Sequence, residues 1–145
     1  LGFSYNKFAD SITVSETEWD FERYKPDIIV INLGTNDMNY ATTDERKAEF
    51  EDGYLDFLKK VRSLNPDSYI FQTYGVMGTS LEENIENVRR KYMSETGDER
   101  ITFIPLTMQD EDADGIVADW HPSPRTHSLV SQKVTAEIKK TLGYK

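Results

Sequence analysis

Cysteine is absent from this chain of 145 residues, and histidine occurs only twice. Disulfides, thiolate metal sites and a cysteine nucleophile are therefore excluded. No apolar run approaches the length of a membrane span, and the N-terminus shows no basic region followed by an apolar one, so no signal peptide is visible. These absences do not define the compartment, because many secreted proteins also lack cysteine.

Positive charge is scarce as well. Lys and Arg together number 17 against 26 Asp and Glu, which leaves a net charge of −9. Nucleic acid and anionic membranes are therefore poor partners, because binding phosphate needs clustered Lys and Arg. The length and the hydrophobic content of 37% predict one globular domain over residues 1–145.

The most apolar stretch, residues 27–33, predicts a strand buried on both faces, as in a parallel sheet covered by helices. Polar residues follow it directly, and open α/β sheets bind their ligands at this end of the strands. Asn36 is either a turn former or an amide that donates to a developing oxyanion. Asp37 is either a helix-start cap or part of the same site.

Strand and helix patterns alternate along the chain. Strands are predicted at 27–33, 68–74 and 101–104, after a loop-rich segment at 1–25. Capping boxes starting at Thr42 and Ser80 precede two helices, and Ser123 precedes a third. This order predicts an α/β fold with a parallel sheet and helices on both faces. The apolar helix positions are Phe50, Tyr54, Leu58, Val61, Leu81, Ile85, Val88, Tyr92, Val130, Val134, Ile138 and Leu142.

A second polar cluster precedes the last helix. His121 is either a catalytic base or an ordinary loop histidine, with Asp119 two residues before it. Trp120 is either a core anchor or a stacking platform for a sugar ring. His127 is expected to be a surface residue. The acidic segment 110–114 lacks the pattern of a calcium-binding loop, so we expect no metal site there.

Together the two clusters are more specific than either alone. Gly34-Thr35-Asn36-Asp37 and Asp119-Trp120-His121-Pro122-Ser123 resemble the third and fifth conserved blocks of the SGNH (GDSL-like) hydrolases, most closely those of carbohydrate esterase family 2. The resemblance covers about residues 17–142, and three further stretches support it. These are Trp19-Asp20-Phe21, Tyr74-Gly75-Val76-Met77 and Thr126-His127.

The resemblance implies a three-layer, flavodoxin-like fold and a cofactor-free serine ester hydrolase that removes O-acetyl groups from xylan or another plant polysaccharide. It makes His121 the general base and Asn36 an oxyanion-hole donor. Gly34 then permits the tight turn, Asp37 braces the loop and Trp120 contacts substrate. The full-length protein is expected to be secreted, with an N-terminal accessory domain as a further possibility.

The sequence departs from the wider superfamily at two places. The Asp that orients the histidine should stand at position 118, which is Ala118, so either Asp119 or a backbone carbonyl takes that role. The Gly-Asp-Ser nucleophile block is imitated only by Ala9-Asp10-Ser11, with no room for the missing helix and strand after it. We therefore expect the N-terminal strands and the serine to lie before Leu1, and the chain alone to be inactive.

Two other functions remain open on the sequence. The chain could be a non-catalytic SGNH-like module that binds glycan through Trp120. It could also be a lipase or acyl esterase of the same superfamily.

Overall fold

The computed structural model describes residues 20–144 and the backbone of two short strands, β1 (Lys7–Ala9) and β2 (Val14–Glu18). These two strands pair antiparallel. The prediction of a loop-rich segment at 1–25 is therefore wrong for these eight positions, where the mixture of aromatic and polar residues concealed the strand pattern. Ser11 and Trp19 lie outside the described residues.

Three parallel strands form the main sheet in the order β3-β4-β5. Helices connect these strands along the chain and cover the sheet. The strands are β3 (Ile28–Asn32), β4 (Tyr69–Tyr74) and β5 (Ile101–Pro105), and the helices are α1 (Asp44–Leu64), α2 (Glu82–Thr96), α3 (Glu111–Asp114) and α4 (Pro124–Leu142). Val30 stands opposite Phe71, and Phe71 opposite Thr102, so the three strands are in direct register.

Helices cover both faces of this sheet, which confirms the predicted three-layer α/β architecture. On one face, α1 and α2 bury Tyr54, Leu58 and Ile85 against the sheet. On the other face, α4 places partly buried side chains against Phe71 and Ile104. The α4 residues are Val130, Val134, Ile138 and Leu142, the positions that helical spacing indicated. Within residues 20–144, no helix is long and apolar enough to cross a membrane.

The strand predicted to be buried on both faces lies instead at the edge of the sheet. Val30 of β3 is 48% exposed, and only Ile31 in this strand is fully buried. The central strand is β4, in which residues 70–74 are all buried. On this face α4 packs against β4, β5 and Ile28 of β3, and Val30 stays open although its side chain is apolar. An edge position for β3 agrees with the expectation that further strands of the sheet lie outside this chain.

Two of the three predicted helix starts differ from the structure. Thr43, not Thr42, is the N-cap of α1 and accepts a hydrogen bond from the Arg46 amide. Ser80 does not cap α2, which begins after Leu81 without a side-chain cap. Ser123 does cap α4, as predicted, and its hydroxyl accepts from the Thr126 amide.

A charged cluster closes the amino end of the sheet, opposite to the end that carries the candidate site. Arg62 pairs with Asp98 at 2.6 Å and donates to the carbonyl of Ser68, just before β4, and to that of Arg100, just before β5. Burial opposes ionisation of Asp98, but hydrogen bonds from the Tyr92 hydroxyl and the Arg100 amide and the charge of Arg62 outweigh it and lower the pKa of Asp98.

Candidate active site

Three turns follow the three strands of the main sheet. The Asn36 turn (34–41) follows β3, the β4 turn (75–78) follows β4, and the His121 loop (106–123) follows β5. Because parallel strands end at the same edge of a sheet, the topology places these turns side by side. Every site residue predicted from the sequence lies in the first or the third of them.

The Asn36 turn is held by backbone hydrogen bonds. The Met38 amide donates to the Gly34 carbonyl at 3.0 Å, and the Ala41 amide donates to the Asp37 carbonyl at 2.8 Å. Asn36 precedes a short 3-10 helix and is exposed, and no described residue accepts or donates a hydrogen bond at its side chain. Within residues 20–144, the Asn36 amide is thus exposed and not engaged.

Gly34 is required where β3 turns into this loop. Its φ of +118° is a conformation that residues with a side chain rarely adopt. A Cβ at this position would also lie 3.2 Å from the ring of Tyr74, which is fully buried. The turn therefore packs directly on the central strand, and the site of Asn36 depends on that packing.

Two buried polar side chains that sequence reasoning missed, Tyr54 and Gln72, lie in the core near Asp37 of the Asn36 turn. Burial raises the pKa of the Tyr54 hydroxyl to about 12; the Gln72 amide works against this shift, and the charge of Asp37 adds to it. Neither amide atom of Gln72 has a hydrogen-bond partner among residues 20–144. The sequence signal for these buried polar groups was Gln72, a glutamine within the mainly apolar strand β4.

The His121 loop turns sharply just before its histidine. Asp119 and Trp120 have φ of 55° and 56°, in the left-handed region that L residues seldom occupy. The turn brings Nδ1 of His121 to 3.1 Å from the carbonyl oxygen of Ala118. Since a carbonyl oxygen only accepts, Nδ1 carries the proton in the neutral ring and Nε2 is left as an acceptor. A histidine in this form can take a proton from a hydroxyl.

The residues next to His121 differ in whether they contact its ring. Within the described part of the chain, no hydrogen bond or ion pair joins Asp119 to His121, so the contact that orients the ring comes from the Ala118 backbone. Trp120 is 66% exposed, which excludes the core-anchor interpretation of this residue. His127 is exposed on the first turn of α4, as the sequence indicated.

Ser123, Arg125 and Gln109 hold the loop in place, and of these the sequence had indicated only Ser123, as the N-cap of α4. The Ser123 hydroxyl donates to the Asp114 carbonyl at 2.7 Å, and Arg125 pairs with the Asp114 carboxylate at 2.7 Å. Gln109 donates from Nε2 to the Trp120 carbonyl at 2.8 Å. No pattern in the sequence marks Gln109, because its partner is a backbone atom eleven residues away.

The structure gathers the predicted residues into two groups and leaves a gap between them. Asn36 follows β3 and His121 follows β5, and these two strands are separated by β4. At the usual spacing of neighbouring strands, the distance between β3 and β5 is about 10 Å. No hydrogen bond or ion pair in residues 20–144 connects the two groups directly. The β4 strand and turn lie between them, because the Tyr74 hydroxyl contacts Met38 at 3.7 Å and the Val76 carbonyl accepts from the Gln109 amide. The described residues contain no group of three or more potential metal ligands.

Comparison with known proteins assigns the chain to a family. The cellulase/esterase CelE of Acetivibrio thermocellus is 36% identical over 148 residues, which cover 96% of this chain and 17% of CelE. The acetylxylan esterase/glucomannan deacetylase of Cellvibrio japonicus is 22% identical over 140 residues, 97% of this chain and 38% of that enzyme. The structure of a family two carbohydrate esterase from Clostridium thermocellum in complex with cellohexaose superimposes with a TM-score of 0.80 at 38% identity, over 90% of this chain and 41% of that one.

The chain thus spans less than half the length of each of these proteins. Residues 5–129 match the family described as GDSL-like lipase/acylhydrolase. This range includes both clusters that carried the resemblance in the sequence, the Asn36 turn and the His121 loop. The chain belongs to the GDSL-like lipase/acylhydrolase family, with carbohydrate esterases of family two among its relatives.

Proposed function

We propose that this chain carries the base and an oxyanion donor of a serine esterase that removes O-acetyl groups from a plant polysaccharide such as xylan. The observation that carries the proposal is the contact between His121 Nδ1 and the Ala118 carbonyl, which leaves Nε2 free to accept a proton. The homology to carbohydrate acetyl esterases supports the substrate class.

The chemistry assigns a step to each of the two groups. A serine hydroxyl attacks the acetyl carbonyl while Nε2 of His121 takes its proton. The same proton then passes to the departing sugar oxygen, which leaves as a hydroxyl group as its bond to the acetyl carbon breaks. Water, activated by the same nitrogen, releases acetate from the acyl-enzyme. The Asn36 amide donates to the oxygen that becomes negative, and one such donor contributes about 3–4 kcal/mol to the lowering of the barrier.

In this proposal, the remaining residues of the site shape the two turns or contact the sugar. Gly34 and Asp37 shape the turn that aims Asn36, the first through its backbone conformation and the second through its carbonyl. Trp120 offers an exposed ring beside His121 for stacking on a sugar. Asp119 takes part through the left-handed turn that it forms, with the Ala118 carbonyl in the orienting role.

We also propose that residues 20–144 do not contain the nucleophile and that this chain alone does not turn over esters. Ser123 is the serine nearest to His121 in sequence, but it is buried and its hydroxyl is engaged with the Asp114 carbonyl and the Thr126 amide. An aryl acetate assay of the isolated chain should show no hydrolysis beyond that of its His121→Ala variant. Turnover that disappears in Ser11→Ala would overturn this part of the proposal.

The general function is tested in a longer polypeptide that contains this chain together with a Gly-Asp-Ser segment. Acetate release from acetylated xylan should be lost in His121→Ala and strongly reduced in Asn36→Ala. His127→Ala is the matched control, since it removes the second histidine, which is exposed and outside the candidate site. Equal activity of the His121 and His127 variants would contradict the proposed base.

A second candidate function is glycan binding without catalysis, favoured by the 66% exposure of Trp120 and by the relative solved with cellohexaose. Titration calorimetry with cellohexaose and with xylohexaose, on the chain and on Trp120→Ala, measures this binding. Tyr144→Ala is the control, because Tyr144 is a comparably exposed aromatic residue, at 60%, near the other end of α4. Binding that depends on Trp120, with no hydrolysis by the longer polypeptide, would favour this function over the esterase.

A further inference from the structure

We propose that Gln109 is a positioning residue for His121, acting through its hydrogen bond to the Trp120 carbonyl. The proposal rests on the proposed function, in which His121 is the base. It adds a side chain that neither the motifs nor the comparisons assign to the site.

The segment before His121 is in a conformation that needs support. Asp119 and Trp120 are both left-handed, and such residues persist only where their surroundings hold them. The backbone of the turn makes two hydrogen bonds of its own, from the His121 amide to Ala118 at 3.2 Å and from the Val117 amide to His121 at 3.0 Å. Neither bond uses the carbonyl oxygen of Trp120.

Gln109 supplies the missing contact. Its Nε2 donates to the Trp120 carbonyl at 2.8 Å, and this carbonyl belongs to the peptide that leads directly into His121. Apart from the ring of His121 itself, no other side chain among residues 20–144 donates to the backbone of 118–121. Ser123 and Arg125 hold the following segment by bonding to Asp114. Among the described residues, Gln109 is therefore the one side chain that donates to the Trp120 carbonyl.

Gln109 is itself anchored to the central strand. Its backbone amide donates to the Val76 carbonyl in the β4 turn at 2.9 Å. Its side chain is partly buried and lines a cavity of about 90 Å³ together with Thr126 and Val130 of α4. The residue thus transmits the position of β4, on which the Asn36 turn also packs, to the turn that aims His121. Its backbone is bonded to the β4 turn and its side chain to the turn that precedes His121.

The tautomer of His121 reports this positioning without any need for catalysis. In a neutral imidazole, the hydrogen bond at one nitrogen decides which nitrogen carries the proton. We therefore expect ¹⁵N NMR of the isolated chain, at a pH where the ring is neutral, to show His121 mainly with its proton on Nδ1. Gln109→Met keeps the length but removes the donor that holds the turn. Its ratio of Nδ1–H to Nε2–H should fall by up to about fivefold, the effect of losing the hydrogen bond between Nδ1 and the Ala118 carbonyl.

Two comparisons separate positioning from a general loss of structure. Gln132→Met is the matched control, because Gln132 is exposed on α4 and donates to Ser128 rather than to the His121 loop. Gln109→Glu is the second variant, since a carboxylate of the same length cannot donate to the Trp120 carbonyl. Backbone amide signals of β4 show which variants are folded.

Each outcome has a defined meaning. A lower tautomer ratio in both Gln109 variants and an unchanged ratio in Gln132→Met support the proposal. An unchanged ratio in a folded Gln109 variant overturns it and leaves the esterase function standing. A wild-type His121 with its proton mainly on Nε2 contradicts the orientation on which the proposed function depends, whatever the variants show.

Discussion

Replacing Gly34 by alanine tests whether the Asn36 turn depends on its packing against the central strand. The backbone at Gly34 has a φ of +118°, and the new Cβ would lie 3.2 and 3.3 Å from two ring carbons of Tyr74 and 3.5 Å from Cδ1 of Ile85. Both Tyr74 and Ile85 are fully buried, so neither side chain can move into solvent to relieve the contact. The Met38 amide, which bonds to the Gly34 carbonyl, would be displaced with the turn.

The expected loss can be worked out from these contacts. A side chain in so rarely occupied a region of φ costs about 1–3 kcal/mol. Forcing a methyl group into a filled core costs about 1–3 kcal/mol, and the reduced freedom of the unfolded chain returns about 0.4–1 kcal/mol. Since the Cβ contacts are tight but not prohibitive, we expect Gly34→Ala to lower the free energy of unfolding by about 2–4 kcal/mol.

Gly97→Ala is the control for the backbone effect. Gly97 has a φ of +70° at the end of α2, and a Cβ there would have no atom within 4 Å. Its replacement should cost only about 1 kcal/mol, since the left-handed penalty of about 1–2 kcal/mol is reduced by the roughly 0.4–1 kcal/mol that the unfolded chain returns. Equilibrium unfolding in urea, followed by circular dichroism, measures all three proteins. If Gly34→Ala cost no more than Gly97→Ala, the argument that the turn is locked on Tyr74 would be refuted.

The charged cluster at the opposite end of the sheet gives two further predictions. Arg62→Ala should cost about 3–5 kcal/mol in urea unfolding, because it removes the ion pair with Asp98 in a mostly buried site and the bonds to the Ser68 and Arg100 carbonyls. Lys59→Ala, which breaks the exposed pair with Glu95, should cost at most about 1 kcal/mol. Asp98→Asn tests the pH dependence. Because the pKa of Asp98 is lowered on folding, its stabilisation is fully present above the ordinary value of 3.8 and disappears as the pH falls through the lower value in the folded protein. The stability difference between wild type and Asp98→Asn should therefore be largest at neutral pH and shrink in acid, and a difference that did not depend on pH would contradict the assignment.

The three turns at the carboxyl edge of the sheet form one connected scaffold. The Asn36 turn contacts β4 through Gly34 and Met38, and the His121 loop contacts the β4 turn through Gln109. The exposed strand β3 therefore does not position Asn36 by itself. The central strand contributes to its position, because residues 70–74 are all buried and offer a rigid surface to both loops.

Periodicity and local chemistry were sufficient for the fold class and for the elements that present the site. Apolar residues at helical spacing identified the buried faces of α1 and α2, because residues three and four apart share one side of a helix. Ser123 followed by Pro124 identified the start of α4, because that pairing is a local property of helix ends. Likewise, the motifs around Asn36 and His121 identified the family, since short motifs record a chemical requirement that does not depend on distant contacts.

Only the tertiary structure decided how these parts are arranged. The apolar run of β3 could not reveal an edge position, because burial depends on which neighbours cover a strand and not on its own side chains. The contact between His121 and the Ala118 carbonyl depended on a left-handed turn at two consecutive residues that are not glycine, of which Trp120 has no propensity for that conformation. The role of Gln109 depended on a backbone atom in another part of the loop. Contacts of this kind are set by the folded chain as a whole, and a linear pattern contains no signal for them.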